Sequence, residues 1–277
     1  MQVFDDTPCQ LGEGPMWHPE RGELFWFDIL GKRMFSRGAQ RREWEFDEHV
    51  SACGWVDRDT LLMASASGLW RFDIPTGDRE LVTALEADNP VTRSNDGRAD
   101  PQGGFWIGTM GLDAEPYAGA IYRLYKGELR RLFDRITISN AISFAPDGTR
   151  AHFADTFSQQ IQSVELDDEG WPAGEPQVFV DLKPEGLNPD GAVIDADGNL
   201  WNAQWGVGRV ACYGPDGTFL RAVDVPVSQS SCPAFGGPDA TTLFVTTAAV
   251  GLDEAEGGKT FYGPAGVAGQ REHRVIL

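Results

Sequence analysis

The chain has 277 residues, 41% of them hydrophobic and 23% charged, with a formal net charge of -19 at pH 7. That is enough apolar content to bury a sizeable core, and the acidity, with no basic cluster to offset it, argues against nucleic acid or an anionic membrane surface as partner. No apolar run approaches the roughly 18 residues that span a bilayer, and the opening MQVFDDTPCQ lacks the apolar core of a leader, so a cytoplasmic location is expected.

Taken in chain order, the sequence alternates Pro/Asp turns with short apolar strands. HPERGELFWFD, DRDTLLMAS, DPQGGFWIGT, APDGTRAHFAD, DADGNLWNAQ and GPDATTLFVTT each set a turn ahead of a strand, near positions 22, 60, 104, 148, 198 and 241. A second series, IPTGD, YKGEL, DDEGW and GPDGT, places Gly77, Gly127, Gly170 and Gly217 at nearly the same spacing. Trp, Phe and Val fill the strands, and no stretch of about ten residues carries a convincing helical period. Four short strands per period of about 45 residues is the pattern of a propeller blade. Six units predict an all-β, six-bladed β-propeller with four-stranded antiparallel blades, a single domain over residues 1–277. A two-sheet sandwich is the alternative, but it does not predict six units of similar length. An open blade edge leaves backbone groups unpaired, so Gln2-Val3-Phe4 and Arg274-Val275-Ile276 are expected to share a composite last blade.

The innermost strand of each blade lines the central channel, so residues in one register form a ring at one mouth. Asp190, in NPDGAVIDADGNLW, stands at the head of an apolar strand, ahead of the turn at Asp197-Gly198. The same register in the other units gives Glu13, Ser51, Asn95, Asn140 and a position near Cys232. Any one Asn or Asp here has an ordinary explanation, the satisfaction of backbone groups at a strand start. Glu13 and Asp190 together do not, because two carboxylates at one mouth repel each other and shift their pKa values unless a cation joins them. Two carboxylates with amide oxygens suit one divalent metal cation: Ca2+, Mg2+ or Mn2+, with Zn2+ and Fe2+ also compatible.

The remaining chemistry-bearing residues read as structural. Cys9, Cys53, Cys212 and Cys232 lack metal-type spacing and are expected as buried reduced thiols, and His18, His49, His152 and His273 form no HxH or HExxH motif. Trp201 and Trp205 are expected to pack between blades, with an aromatic platform at the channel mouth as the alternative for Trp205.

LGEGPMW, SNDGRADPQGGFWIGTM, ITISNAISFAPDG, NPDGAVIDADGNLWNAQWG and FGGPDATTLFVTTA, running in order from about Leu11 to Ala248, resemble the gluconolactonase family that includes regucalcin, the senescence marker protein. The resemblance implies a six-bladed propeller that hydrolyses sugar-acid lactones with one divalent metal. It implies Glu13, Asn140 and Asp190 as metal ligands, and Arg93 and Asn95 as substrate-binding residues. In such a site the metal polarises the lactone carbonyl and activates water, and Asp190 serves as both ligand and catalytic general base. Arg93 and Asn95 hold hydroxyls or the ring oxygen of the substrate. Glu115, with Asp113 in the loop GLDAEPYAGA, is a further candidate for binding sugar hydroxyls, solvated loop acids being the alternative. The expected partner is a small sugar lactone such as glucono-, galactono-, xylono- or arabinonolactone, and the expected assembly a monomer or weak homo-oligomer. The competing readings are a metal-stabilised regulatory or binding propeller without turnover, and a phosphotriester or fluorophosphate hydrolase.

Overall fold

A computed structural model describes all 277 residues. The apolar runs form strands, and the Gly-bearing segments between them form turns. Gly22, Gly77, Gly127, Gly148, Gly170, Gly198 and Gly217 all take positive φ, and in the third unit that role falls on Gly103 (φ 93) rather than Gly104. Each strand folds back on the one before it, giving six four-stranded sheets whose strands pair antiparallel. The result is a six-bladed β-propeller. No helix of the chain is long and apolar enough to cross a membrane.

The inner strands of blades 1 to 6 are Gly12–His18, Val50–Asp57, Thr92–Ala99, Ser139–Phe144, Asn188–Ile194 and Ser230–Gly236, and each touches its neighbours around the axis. The second strands, such as Glu23–Asp28 and Thr60–Ser65, are buried along their whole length. Outer strands such as Arg41–Glu45 alternate exposed and half-buried residues, as a solvated sheet edge does.

The hydrophobic core is divided into six wedges, one between each pair of adjacent blades. Between blades 1 and 2, Phe25, Phe27 and Met34 meet Leu61, Met63 and Phe72. Trp201 packs between blades 5 and 6, as expected, against Phe235 at 5.7 Å between ring centroids. At roughly 25 cal/mol per Å² of apolar surface, these wedges supply the main drive for blades to assemble side by side.

All six inner strands carry a register irregularity near the same level. It falls between Glu13 and Met16, Val50 and Ala52, Ser94 and Gly97, Asn140 and Ser143, Pro189 and Ala192, and Ser230 and Cys232. An extra residue in one strand bends it and re-aims a side chain. Six such bulges in register turn six strand starts towards one mouth of the channel.

The chain ends close the ring only in part as expected. Gln2–Asp5 pairs with Thr260–Pro264 and completes the blade that holds Thr242–Thr247 and Ser230–Gly236. Arg274-Val275-Ile276 does not join that blade, whose four places are filled. Residues 265–277 instead form a strap across the channel end opposite the ring. Gly269 N donates to Ala240 O (2.8 Å), Gln270 Nε2 to Phe144 O (2.9 Å), and Arg98 Nη1 to Glu272 Oε1 (2.6 Å). Val275 N donates to Trp55 O (2.9 Å) and Ile276 N to Gly103 O (2.8 Å). The strap thereby satisfies its backbone on blade ends and buries Val275 between blades 2 and 3, which a complete blade cannot offer.

Candidate active site at the channel mouth

Five of the six metal-ligand and substrate-binding residues expected from the sequence line one cavity of about 250 Å³: Glu13, Arg93, Asn95, Asn140 and Asp190. Leu11, Met110, Ile138, Thr156 and Trp205 complete its wall. Of the other ring positions, Ser51 donates to Ser94 Oγ at 2.8 Å and Cys232 is wholly buried, so neither reaches the cavity. Close backbone packing shapes the floor. A Cβ on Gly14, which has φ 54, would collide with the Ser51 carbonyl, and one on Gly191 would collide with the Cys232 thiol. Glycine after each carboxylate therefore lets adjacent inner strands approach.

A short hydrogen-bond chain orients the amides. Arg93 Nη1 donates to Asn95 Oδ1 (2.8 Å) and to Ser94 O (2.9 Å), while its buried Nε has no partner in the chain. Asn95 Nδ2 donates to Ser139 O (2.8 Å) and to Asn140 Oδ1 (3.3 Å). Asn140 Nδ2 donates to Thr156 Oγ1 (2.8 Å), which donates in turn to Pro189 O (2.7 Å). The Asn140 nitrogen is thus fixed on Thr156, and its oxygen, which accepts only the longer bond from Asn95, keeps acceptor capacity in the cavity that Glu13 and Asp190 also line. Arg93 is 4% exposed, which rules out the surface ion pair that an isolated arginine would suggest.

The electrostatics of the cavity are unbalanced. Burial, followed by the neighbouring carboxylate charges, pushes both Glu13 and Asp190 above the usual carboxylate range, and the two lie close enough to share a proton. Asp96, buried beneath them and accepting from Ile142 N at 2.8 Å, is pushed up to about 6 by burial. Burial also lowers Arg93 to about 10, against the pull of Glu13 and Asp190. Glu13 and Asp190 share one guanidinium, that of Arg93, while Asp96 lies in the field of the buried Arg98. Such a set is costly without a further positive charge, and Glu13, Asp190 and the Asn140 oxygen are the hard donors that a divalent cation takes. No three His, Cys, Asp or Glu side chains gather into a metal-holding group anywhere in the chain, so the candidate donor set here is two carboxylates with an amide oxygen.

Glu115 lies outside this wall. Its Oε2 accepts from Asp113 N at 3.1 Å, within the loop that follows Phe105–Gly111, and Asp113 is exposed. None of the four histidines lines the cavity, and all four cysteines are free and buried. The repeat register did not single out Thr156 or Asp96. Asp96 lies within the RSNDG motif beside Asn95 and was legible only as its neighbour, whereas Thr156 follows a second strand and carries no motif.

Comparison with known proteins points the same way. Residues 11–249 match the family model described as SMP-30/Gluconolactonase/LRE-like region. The L-arabinolactonase of Azospirillum brasilense is 36% identical over 260 residues, which cover 91% of this chain and 85% of that protein. A pentonolactonase of Haloferax volcanii is 34% identical over 246 residues, covering 88% and 83%. The crystal structure of a calcium-binding protein, regucalcin, from Agrobacterium tumefaciens superposes with a TM-score of 0.96 at 41% identity, over 100% of this chain and 97% of that one.

Proposed function

The chain belongs to the SMP-30/gluconolactonase/LRE-like family, and from that premise we propose that it is a carboxylic ester hydrolase that opens a sugar-acid lactone to the free acid. The observation that carries this reading is the convergence of Glu13, Asn140 and Asp190 with Arg93 and Asn95 on one cavity. The names of the similar proteins, an arabinolactonase and a pentonolactonase, favour a pentonic lactone over a hexonic one.

Glu13, Asn140 and Asp190 would hold one divalent cation, for which calcium is the first choice given the calcium-binding regucalcin fold neighbour. When bound, the cation supplies Lewis acidity towards the lactone carbonyl and acidifies water. Asp190 takes the proton of the attacking water, as its buried position beside Glu13 suits a carboxylate with raised basicity. Arg93 and Asn95 hold substrate hydroxyls with donors set by the hydrogen-bond chain described above, so the ester carbon is oriented before attack. Glu115 adds to this grip only when its carboxylate leaves the Asp113 amide. A panel of aldonolactones assayed by acid release, with metal removed by chelation and restored, tests the proposal. Acid release that depends on added cation supports it, and full turnover by rigorously metal-free protein refutes it.

A further inference from the structure

The chain contains nine tryptophans. Eight are anchored to the fold by aromatic, cationic or hydrophobic neighbours: Trp201 and Trp106 sit in wedges between blades, for example, and Trp171 lies under Arg130. Trp205 stacks on no ring, lies under no cation, and belongs to none of the six hydrophobic wedges. Trp55, Trp70 and Trp201 spend their indole N–H on Glu272, Ser65 and Asp195. Trp205 spends its own on nothing in the chain. It is half-buried, and the place it occupies is the wall of the cavity that holds Asp190.

The backbone around Trp205 is pinned on both sides. The preceding Gln204 donates to Tyr213 Oη (2.8 Å) and accepts from Arg209 Nε (2.6 Å), while Gly206 and Gly208 both donate to Ser228 O. A large aromatic face is therefore held at the mouth without serving the core. Resting on the lactonase reading, we propose that Trp205 is a substrate-binding platform that stacks on the C–H face of the lactone ring. An aromatic face attracts C–H groups by dispersion and through its quadrupole, whereas hydroxyls need donors and acceptors. Arg93 and Asn95 come from blade 3 and Trp205 from blade 5, with blade 4 between them. The hydroxyl edge and the C–H face of the substrate are thus met from different blades, and Met110 and Ile138 extend the apolar border. The substrate class that fits is an uncharged lactone ring with one face free of polar substituents.

The test compares Trp205→Ala and Trp205→Phe on D-xylonolactone and on unsubstituted δ-valerolactone. Trp205→Ala raises KM about tenfold on both lactones and changes kcat less than about threefold, because the ring face is common to both. Trp205→Phe recovers most of the loss, and the thermal midpoint stays at its wild-type value in both variants. An unchanged KM in Trp205→Ala overturns the platform, as does a Phe variant as impaired as the Ala one. D-xylose, a sugar ring with no ester to cleave, separates this idea from the lactonase reading. It should quench the tryptophan fluorescence of the wild type and not that of Trp205→Ala. Quenching without turnover of any lactone by the wild type refutes the lactonase reading alone, and equal quenching in both proteins refutes the platform alone.

Discussion

Arg93 and Asn95, two positions apart on one inner strand, are joined by a 2.8 Å hydrogen bond from Nη1 to Oδ1. Through Asn95 that bond links the only guanidinium of the cavity to the Asn140 oxygen. Arg93→Ala is expected to lower kcat/KM on a hydroxylated lactone roughly 10- to 150-fold, the loss of a charged hydrogen bond of about 1.5 to 3 kcal/mol. The defect should shrink on δ-valerolactone, which has no hydroxyls to hold. Metal affinity, measured by calorimetric titration, should change little, since Arg93 touches none of the three candidate ligands directly. Equal impairment on both lactones, or loss of the metal, would remove the role assigned to Arg93.

Asp190→Asn separates chemistry from stability. Turnover should fall by orders of magnitude, because an amide does not accept the water's proton. Stability of the metal-free protein should move the other way. A carboxyl group whose pKa is raised on folding costs stability as pH climbs above its unfolded value, so removing it should stabilise the chelated protein at pH 7.5. Thermal melts of both proteins in chelator decide the point, and a lower midpoint for the variant would contradict it.

Away from the cavity, Arg123 and Asp100 form a fully buried ion pair at 2.6 Å, with the guanidinium held between Tyr125 (4.3 Å) and Trp171 (4.4 Å). Removing one partner strands the other charge without water. Arg123→Met should cost about 3 to 5 kcal/mol in urea unfolding, with kcat of the folded fraction unaltered. A loss under about 1 kcal/mol would show that the amides of Gln102 and Gly104, which also donate to Asp100, suffice alone.

His152 is 5% exposed, packs against Phe179 at 4.5 Å, and is lowered to about 3 by burial and then by Arg150. Below its ordinary value of 6.5 the unfolded chain takes up a proton that the folded chain refuses. Stability is therefore whole above about pH 6.5 and falls as pH drops towards 3, by on the order of 1 kcal/mol per pH unit. His152→Leu should flatten that decline between pH 6 and 4. Parallel slopes for the two proteins would place the acid sensitivity elsewhere.

The blades were legible because turn glycines and apolar strands recur along the chain, and a periodic signal survives errors at any one strand. The ring was legible for the same reason: Glu13, Asn95, Asn140 and Asp190 stand at one register before their turns. The register could not show which ring members reach the cavity. Ser51 and Cys232 occupy the same level, yet Ser51 is consumed by Ser94 and Cys232 is packed under Gly191. Nor could it show the strap, whose contacts run mainly from its own backbone to blade ends and leave no pattern in residues 265–277. Glu115 illustrates a third limit, since a loop carboxylate can satisfy its own backbone as readily as a ligand.

The strap makes the propeller a cup instead of a tube. Beneath the ring Asp96 is 3% exposed and Ser143 and Cys232 are 0% exposed, so nothing the size of a sugar passes through to the far side. Reactant and product share one doorway. The reactant is neutral and indifferent to a net charge of -19, but the product is an acid anion and is repelled by it. Traffic through the doorway is biased outward once the ring has opened, and the bias weakens as salt screens it. The free acid should therefore inhibit competitively, and its inhibition constant should tighten as ionic strength rises.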